Sequence, residues 1–129
     1  MAVSVLIVDD SSTIRLILRR CLDQAELGIE EIWEAGNGEE ALALLSQHDV
    51  DVVLSDINMP KMDGIQLLSQ MKQNERWKTI PVLLITTEAG AKLVTDAAKR
   101  GAFGYIRKPF TPVQIRDQLT PLVKAATRP

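Results

Sequence analysis

The sequence predicts an α/β sandwich of three layers, with a five-stranded parallel sheet between helices. Three observations predict it. Apolar runs at residues 3–8, 50–54 and 80–85 show little internal alternation, as in strands buried on both faces. Helical periodicity fills the intervals between them. Strand and helix patterns then alternate through the whole chain, which favours parallel over antiparallel order.

The first strand, 3–8, runs into Asp9-Asp10. A helix follows, with Ile14, Ile17, Leu18, Cys21 and Leu22 at spacings of three and four. A second strand is predicted at 31–34. Asn37, three residues before Glu40, is an N-cap signal for the next helix. The third strand, 50–54, leads into Ser55-Asp56, and Asp63 before Gln66 caps the helix after it.

Beyond the fourth strand, 80–85, a helix is expected over 88–100, with Leu93, Val94, Ala97 and Ala98 facing inward and Gly101 as its stop. The fifth strand is placed at 102–106. The last helix starts at Thr111-Pro112 with Gln114 completing the cap, and Ile115, Leu119, Leu122 and Val123 form its apolar stripe.

At 129 residues the chain is expected to be one domain, 1–129, with no effector domain after Lys124. A net charge of −2 and a pI near 5.4 leave no basic footprint for nucleic acid or an anionic membrane. The cationic stretches Leu18-Arg19-Arg20 and Ala98-Lys99-Arg100 are short and read as solvated faces. No apolar run approaches the roughly 20 residues of a membrane span, and no signal-peptide layout is present. A cytoplasmic protein is expected. The lone Cys21 is read as core, His48 as a surface residue at a helix end, and Trp33 and Trp77 as packing residues.

The chemistry collects at strand ends. Sites in open α/β sheets form outside the carboxyl ends of the strands. There the sequence puts Asp9 and Asp10, then Asp56, then Thr86 and Thr87, and finally Lys108. Carboxylates sharing one site repel, by about 4 kcal/mol per pair at 4 Å and an effective dielectric of 20. A divalent cation removes that cost. Mg²⁺ suits the set because it takes oxygen ligands and commonly combines one or two carboxylates with phosphate oxygens. Lys108 offers a point charge and Thr86 a hydroxyl donor for such oxygens. Asp56 is the candidate nucleophile toward phosphorus. Asp10-Ser11-Ser12 could instead be a helix cap, and Lys108 a surface lysine.

Four segments together resemble the response-regulator receiver domain, and within that family the stand-alone chemotaxis regulators. They are Leu6-Ile7-Val8-Asp9-Asp10, residues 54–64 around Ser55-Asp56-Ile57-Asn58-Met59-Pro60, Ile80-Pro81-Val82-Leu83-Leu84-Ile85-Thr86, and Gly104-Tyr105-Ile106-Arg107-Lys108-Pro109-Phe110. The resemblance implies a flavodoxin-like fold of strand order 2-1-3-4-5, an order that periodicity does not supply. It implies that Asp56 takes a phosphoryl group from a phosphohistidine of a sensor histidine kinase or a histidine phosphotransfer domain. Asp9, Asp10, Asp56 and the Asn58 backbone carbonyl would surround Mg²⁺, and Thr86 and Lys108 would contact the phosphoryl oxygens. The Lys108-Pro109 bond would be cis.

Thr86 and Tyr105 correspond to the family's switch pair, whose movement alters the face made by the fourth helix, fifth strand and fifth helix. Asn58 and Glu88 occupy positions that tune hydrolysis, which implies a short-lived phosphoryl group and the help of a separate phosphatase. Ile57 and Ser11 stand where the best-known chemotaxis regulator has aromatic residues, and Gly90 and Ala91 begin the fourth helix with small ones. Donor preference, phosphatase recognition and motor binding are therefore not carried over with the rest.

The expected function is a two-component response regulator, a monomeric switch rather than an enzyme, whose output is protein binding. A flagellar motor switch is the first context. A phosphorelay intermediate or phosphate sink is the second. A metal-dependent phosphatase on a similar sheet generally needs a second Asp two residues after the nucleophile, where this chain has Asn58. A flavin module would not run its first strand into two carboxylates. A phosphorylation-independent adaptor leaves the acidic set unexplained.

Overall fold

The computed structural model describes residues 3–87 and 91–126, apart from the side chains of 91–94. Strands and helices alternate as β1 (Val3–Val8), α1 (Ser12–Gln24), β2 (Ile29–Ala35), α2 (Gly38–Gln47), β3 (Val52–Asp56), α3 (Gly64–Lys72), β4 (Val82–Thr86), α4 (Ala91–Lys99), β5 (Gly104–Arg107) and α5 (Pro112–Ala126). All neighbouring strands are parallel, in the order β2-β1-β3-β4-β5.

The pleat sends successive residues of each inner strand to opposite faces, and both faces are apolar. Leu6, Val8, Val53 and Leu84 point to one side, where α2, α3 and α4 bring Leu45, Leu68, Met71 and Ala97. Val5, Ile7, Leu54, Leu83 and Ile85 point to the other, beneath Leu18 and Leu22 of α1 and Ile115 and Leu119 of α5. Two cores thus share the sheet between them. The inner strands β1, β3 and β4 are buried throughout, while edge strand β2 exposes Glu30, Glu31 and Glu34. Charge on an edge discourages pairing with another sheet.

The caps expected from sequence are present. Asn37 accepts from Glu40 N at 3.0 Å. Asp63 and Gln66 form a reciprocal capping box, and Thr111 and Gln114 exchange the same pair of bonds at 3.2 and 2.9 Å. Gly101, at φ 98°, ends α4 with Gly101 N bonded to Ala98 O and Ala102 N to Ala97 O. This is the Schellman pattern, which favours glycine because a Cβ resists that backbone geometry.

Several boundaries differ from the expectation. The third strand is Val52–Asp56 rather than 50–54, the fourth Val82–Thr86 rather than 80–85, and the fifth Gly104–Arg107 rather than 102–106. Val50 is buried at the foot of the sheet without joining the ladder, and Asp51 is occupied by Ser4 through Asp51 N to Ser4 O and Ser4 N to Asp51 Oδ2. Pro81 has no N–H to donate, so it contributes only its carbonyl, to Val53 N. Apolar content marks burial, and at Val50 burial begins before pairing does, whereas Phe103 ahead of the fifth strand is 50% exposed. β2 is longer than 31–34, running from Ile29 to Ala35 with Glu30, Glu31 and Glu34 exposed on the edge.

Two side chains expected to face inward do not. Ile17 is 40% exposed beside the exposed Leu16, and Ala98 is exposed while Ala97 is buried. The inward arc of α1 narrows to Leu18, Cys21 and Leu22, where the helix packs against β1, β2 and α5. The helix expected over 88–100 is described from Ala91 to Lys99. Glu88 and Gly90 lie outside the described residues, as do the side chains of Leu93 and Val94. Cys21 is buried, and burial pushes its thiol up. His48 C-caps α2 and stacks on Trp33 with ring centroids 3.8 Å apart. Trp77 packs against the α2–α3 side of the core. Among the described residues no helix is long and apolar enough to cross a membrane.

Candidate functional site

β1 lies between β2 and β3, so the chain leaves it on opposite sides of the sheet in its two halves, and the carboxyl ends of β1 and β3 open onto the resulting crevice. Asp9 follows β1 directly. Asp56 and Thr86 are the last residues of β3 and β4, inside the ladder rather than just beyond it, with Asp56 opposite Ile85 and Thr86 opposite Arg107. Lys108 follows β5 and its N–H bonds Thr86 O at 2.7 Å. Ladder bonds therefore fix the backbone beneath each of these side chains.

Asp9, Asp10 and Asp56 each offer a carboxylate oxygen within 4.8 Å of the others. Asp9 is 1% exposed and Asp56 8%, whereas Asp10 is open to solvent. The Lys108 ammonium reaches between the two buried acids, 3.1 Å from Asp9 Oδ2 and 3.4 Å from Asp56 Oδ1. Asp9 Oδ1 accepts from Ser11 N at 2.9 Å, and Asp56 Oδ1 from Ile57 N at 2.9 Å. Burial, then the charge of Asp9, raises the Asp56 carboxyl above the ordinary aspartate range, against the lowering by Lys108 and the Ile57 N–H. One ammonium does not balance three carboxylates. The donor set is all oxygen, clustered and open on the Asp10 side, so it can hold a metal ion and fits a hard divalent cation.

The structure resolves the question of the cap. Ser11, not Asp10, is the N-cap of α1, its side chain accepting from Ile14 N at 3.2 Å. Asp10 is thereby left facing the cluster.

Asn58 is exposed in the loop after β3. That loop is tied down at both ends of its turn, Gly64 N to Ile57 O at 2.8 Å and Gly38 N to Met62 O at 2.9 Å. A Cβ on Gly64 would overlap the carbonyl oxygen of Asp56, and one on Gly38 would fall 2.6 Å from Met62 Cγ. Both glycines are needed for this close approach. The Lys108–Pro109 peptide is cis.

Thr86 is 2% exposed. Tyr105 lies opposite Leu84 and Arg107 opposite Thr86, so Tyr105 and Thr86 are diagonal neighbours on the face that carries α4. Tyr105 is 41% exposed and borders a surface depression with Arg107, Gln114 and Asp117.

Sequence reasoning missed Arg15. Its Nη1 donates to the Asp9 carbonyl at 2.6 Å and its Nε to Glu34 at 3.0 Å. The available signal was a cation about one and a half turns beyond an acidic pair, which is common on solvated helices.

The family model for the response regulator receiver domain matches residues 5–120. This chain belongs to that family. The receiver domain is 43% identical over 115 residues to the chemotaxis protein CheY1 of Helicobacter pylori, covering 88% of this chain and 91% of that one. In structure it is similar to the CheY4 chemotaxis protein of Vibrio cholerae, with a TM-score of 0.86, 33% identity, and coverage of 95% of this chain and 99% of the other. It is also similar to a chain in the CheX–CheY–BeF3–Mg²⁺ complex of Borrelia burgdorferi, with a TM-score of 0.85, 33% identity, and coverage of 93% and 88%. The receiver domain is a response regulator homologous to CheY, and its acidic pocket is consistent with an aspartate phosphoacceptor and a divalent cation.

Proposed function

We propose that this receiver domain takes a phosphoryl group onto Asp56 from a phosphohistidine and uses it to change its binding to another protein. The observation that carries the reading is the joint placement of Asp56, Lys108 and two further carboxylates at one sheet crevice. In the transfer, an Asp56 carboxylate oxygen forms a bond to phosphorus while the P–N bond to the donor imidazole breaks and its electrons leave with the ring. Asp9, Asp10 and Asp56, with the Asn58 backbone carbonyl, would hold Mg²⁺. When bound, this ion offsets negative charge on the donor and on the carboxylates. Lys108 exchanges its carboxylate partners for phosphoryl oxygen, and Thr86 donates its hydroxyl to another.

Thr86 turning toward the new oxygens opens space on the α4 face, and Tyr105, its diagonal neighbour, moves into it. The altered surface is α4, β5 and α5. The likeness to chemotaxis proteins supports a target in chemotaxis, such as a flagellar motor switch, and the CheX–CheY complex supports a separate protein partner, for which a phosphatase is our reading. Asn58 and Glu88 set a short phosphoryl lifetime. The protein works as a cytoplasmic monomer, and the only reactions it assists are its own phosphorylation and dephosphorylation.

Intact mass after incubation with Mg²⁺ and acetyl phosphate tests the reading. One labile phosphoryl adduct is expected in the native chain and none in Asp56→Asn or without Mg²⁺. An adduct that persists in Asp56→Asn would place the acceptor elsewhere and defeat the proposal.

A further inference from the structure

Asp9 is gripped by α1 at two points. Ser11 N reaches its carboxylate and Arg15 Nη1 its carbonyl, the latter at 2.6 Å, the short length of a hydrogen bond given by a charged donor. That carbonyl belongs to the peptide joining Asp9 to Asp10, so fixing it fixes the plane from which both side chains leave. On the other side of the same residue, Asp9 N bonds Ala35 O at 3.0 Å, which ties the preceding Val8–Asp9 peptide to β2.

Arg15 is itself braced. Its Nε bonds Glu34 Oε1 at 3.0 Å. The second oxygen of Glu34 takes Nε and Nη2 of Arg19 at 3.0 and 2.8 Å, and Arg19 Nη2 also reaches Ile32 O at 3.2 Å. A chain of hydrogen bonds thus runs from β2 through Glu34 to Arg15 and ends on the backbone of the acid pair. The Arg15 side chain is only 21% exposed, and α1 presents it there because Arg15 N continues the helix from Ser11 O at 3.1 Å.

We propose that Arg15, braced by Glu34 and Arg19, is a positioning residue that clamps the Asp9–Asp10 peptide so that both carboxylates face the cation site. The inference rests on the receiver reading of that site. It is separable from simple electrostatics by sign. A guanidinium near a cation site repels the ion, so on charge alone its removal tightens Mg²⁺ binding. A clamp has the opposite effect, because its loss frees the two carboxylates to turn away. Lysine keeps the charge but has a single ammonium, which does not span Asp9 O and Glu34 together as the planar fork does.

The test is the Mg²⁺ dissociation constant, read from the rise in unfolding free energy with Mg²⁺ concentration at constant ionic strength, for the native chain, Arg15→Ala and Arg15→Lys. Arg15→Ala is expected to weaken Mg²⁺ about tenfold, the scale on which partners behind a ligand act. Arg15→Lys is expected to weaken it less, but measurably. Stability in EDTA reports any general damage separately, and if Arg15→Ala does not fold, Arg15→Lys decides. An unchanged or tighter constant in Arg15→Ala, or a native constant in Arg15→Lys, overturns the clamp. A native chain whose stability ignores Mg²⁺ defeats the receiver reading itself, a result distinct from either.

Discussion

Glu34 sits on edge strand β2 between two guanidinium groups, and its ionisation is coupled to folding. Burial lifts its carboxyl, but the hydrogen bonds and charges of Arg19 and Arg15 outweigh this and hold it below the ordinary glutamate range. A carboxyl with a depressed folded-state pKa stabilises the fold above its unfolded value, near about 4.3, and loses that contribution as pH falls through the folded value. Glu34→Gln is therefore expected to be less stable than the native chain at neutral pH. The gap should close as pH drops below the ordinary glutamate range, in denaturant melts without Mg²⁺. A gap that is constant with pH would mean that charge at Glu34 contributes nothing. At this scale the sequence named Asp9, Asp10, Asp56, Thr86 and Lys108, because acids and a lysine at the ends of apolar runs are conspicuous. Arg15 was not legible, since a hydrogen bond to a backbone carbonyl leaves no mark on residue type.

Helix α5 carries its own exception. Pro121 lies inside it, where it supplies no N–H for the carbonyl of Asp117 and its ring crowds that turn. The helix persists because Ile115 and Leu119 before Pro121 and Leu122 and Val123 after it are all buried on one face. Pro121 itself is exposed. Replacing it with alanine restores the bond without touching the core, so Pro121→Ala is expected to stabilise the protein by about 1–3 kcal/mol, after allowing for the freer unfolded chain. Equilibrium urea unfolding measures this, and a loss of stability would show that the proline fits a bend the helix needs. Caps were legible at this scale because they are local, three residues apart in sequence. Strand limits were not, since pairing depends on a neighbour many residues away, as Ser4 and Asp51 show.

The whole molecule is two cores on one sheet. Leu68 of α3 is fully buried in one and Leu119 of α5 in the other. Leu68→Ala and Leu119→Ala are each expected to cost about 2–5 kcal/mol, as fully buried leucines do. Each variant should still unfold in a single transition followed by fluorescence and by far-UV circular dichroism, because β1, β3 and β4 are the floor of both cores. Separate transitions in either variant would show that the two layers fold independently.

Sequence alone determined the fold class, the order of elements and the residue types at the strand ends, because periodicity, capping and acidic punctuation are all encoded over a few neighbouring positions. The strand order, implied by family resemblance, was borne out by the sheet itself. Only the tertiary structure decided that three carboxylates lie within 4.8 Å, that Lys108 enters between two of them across 99 positions of chain, and that Arg15 closes on Asp9 from behind. Those relations depend on which strands adjoin and how far each side chain reaches. Such distances are set when the sheet closes and the helices pack, and no local pattern specifies them.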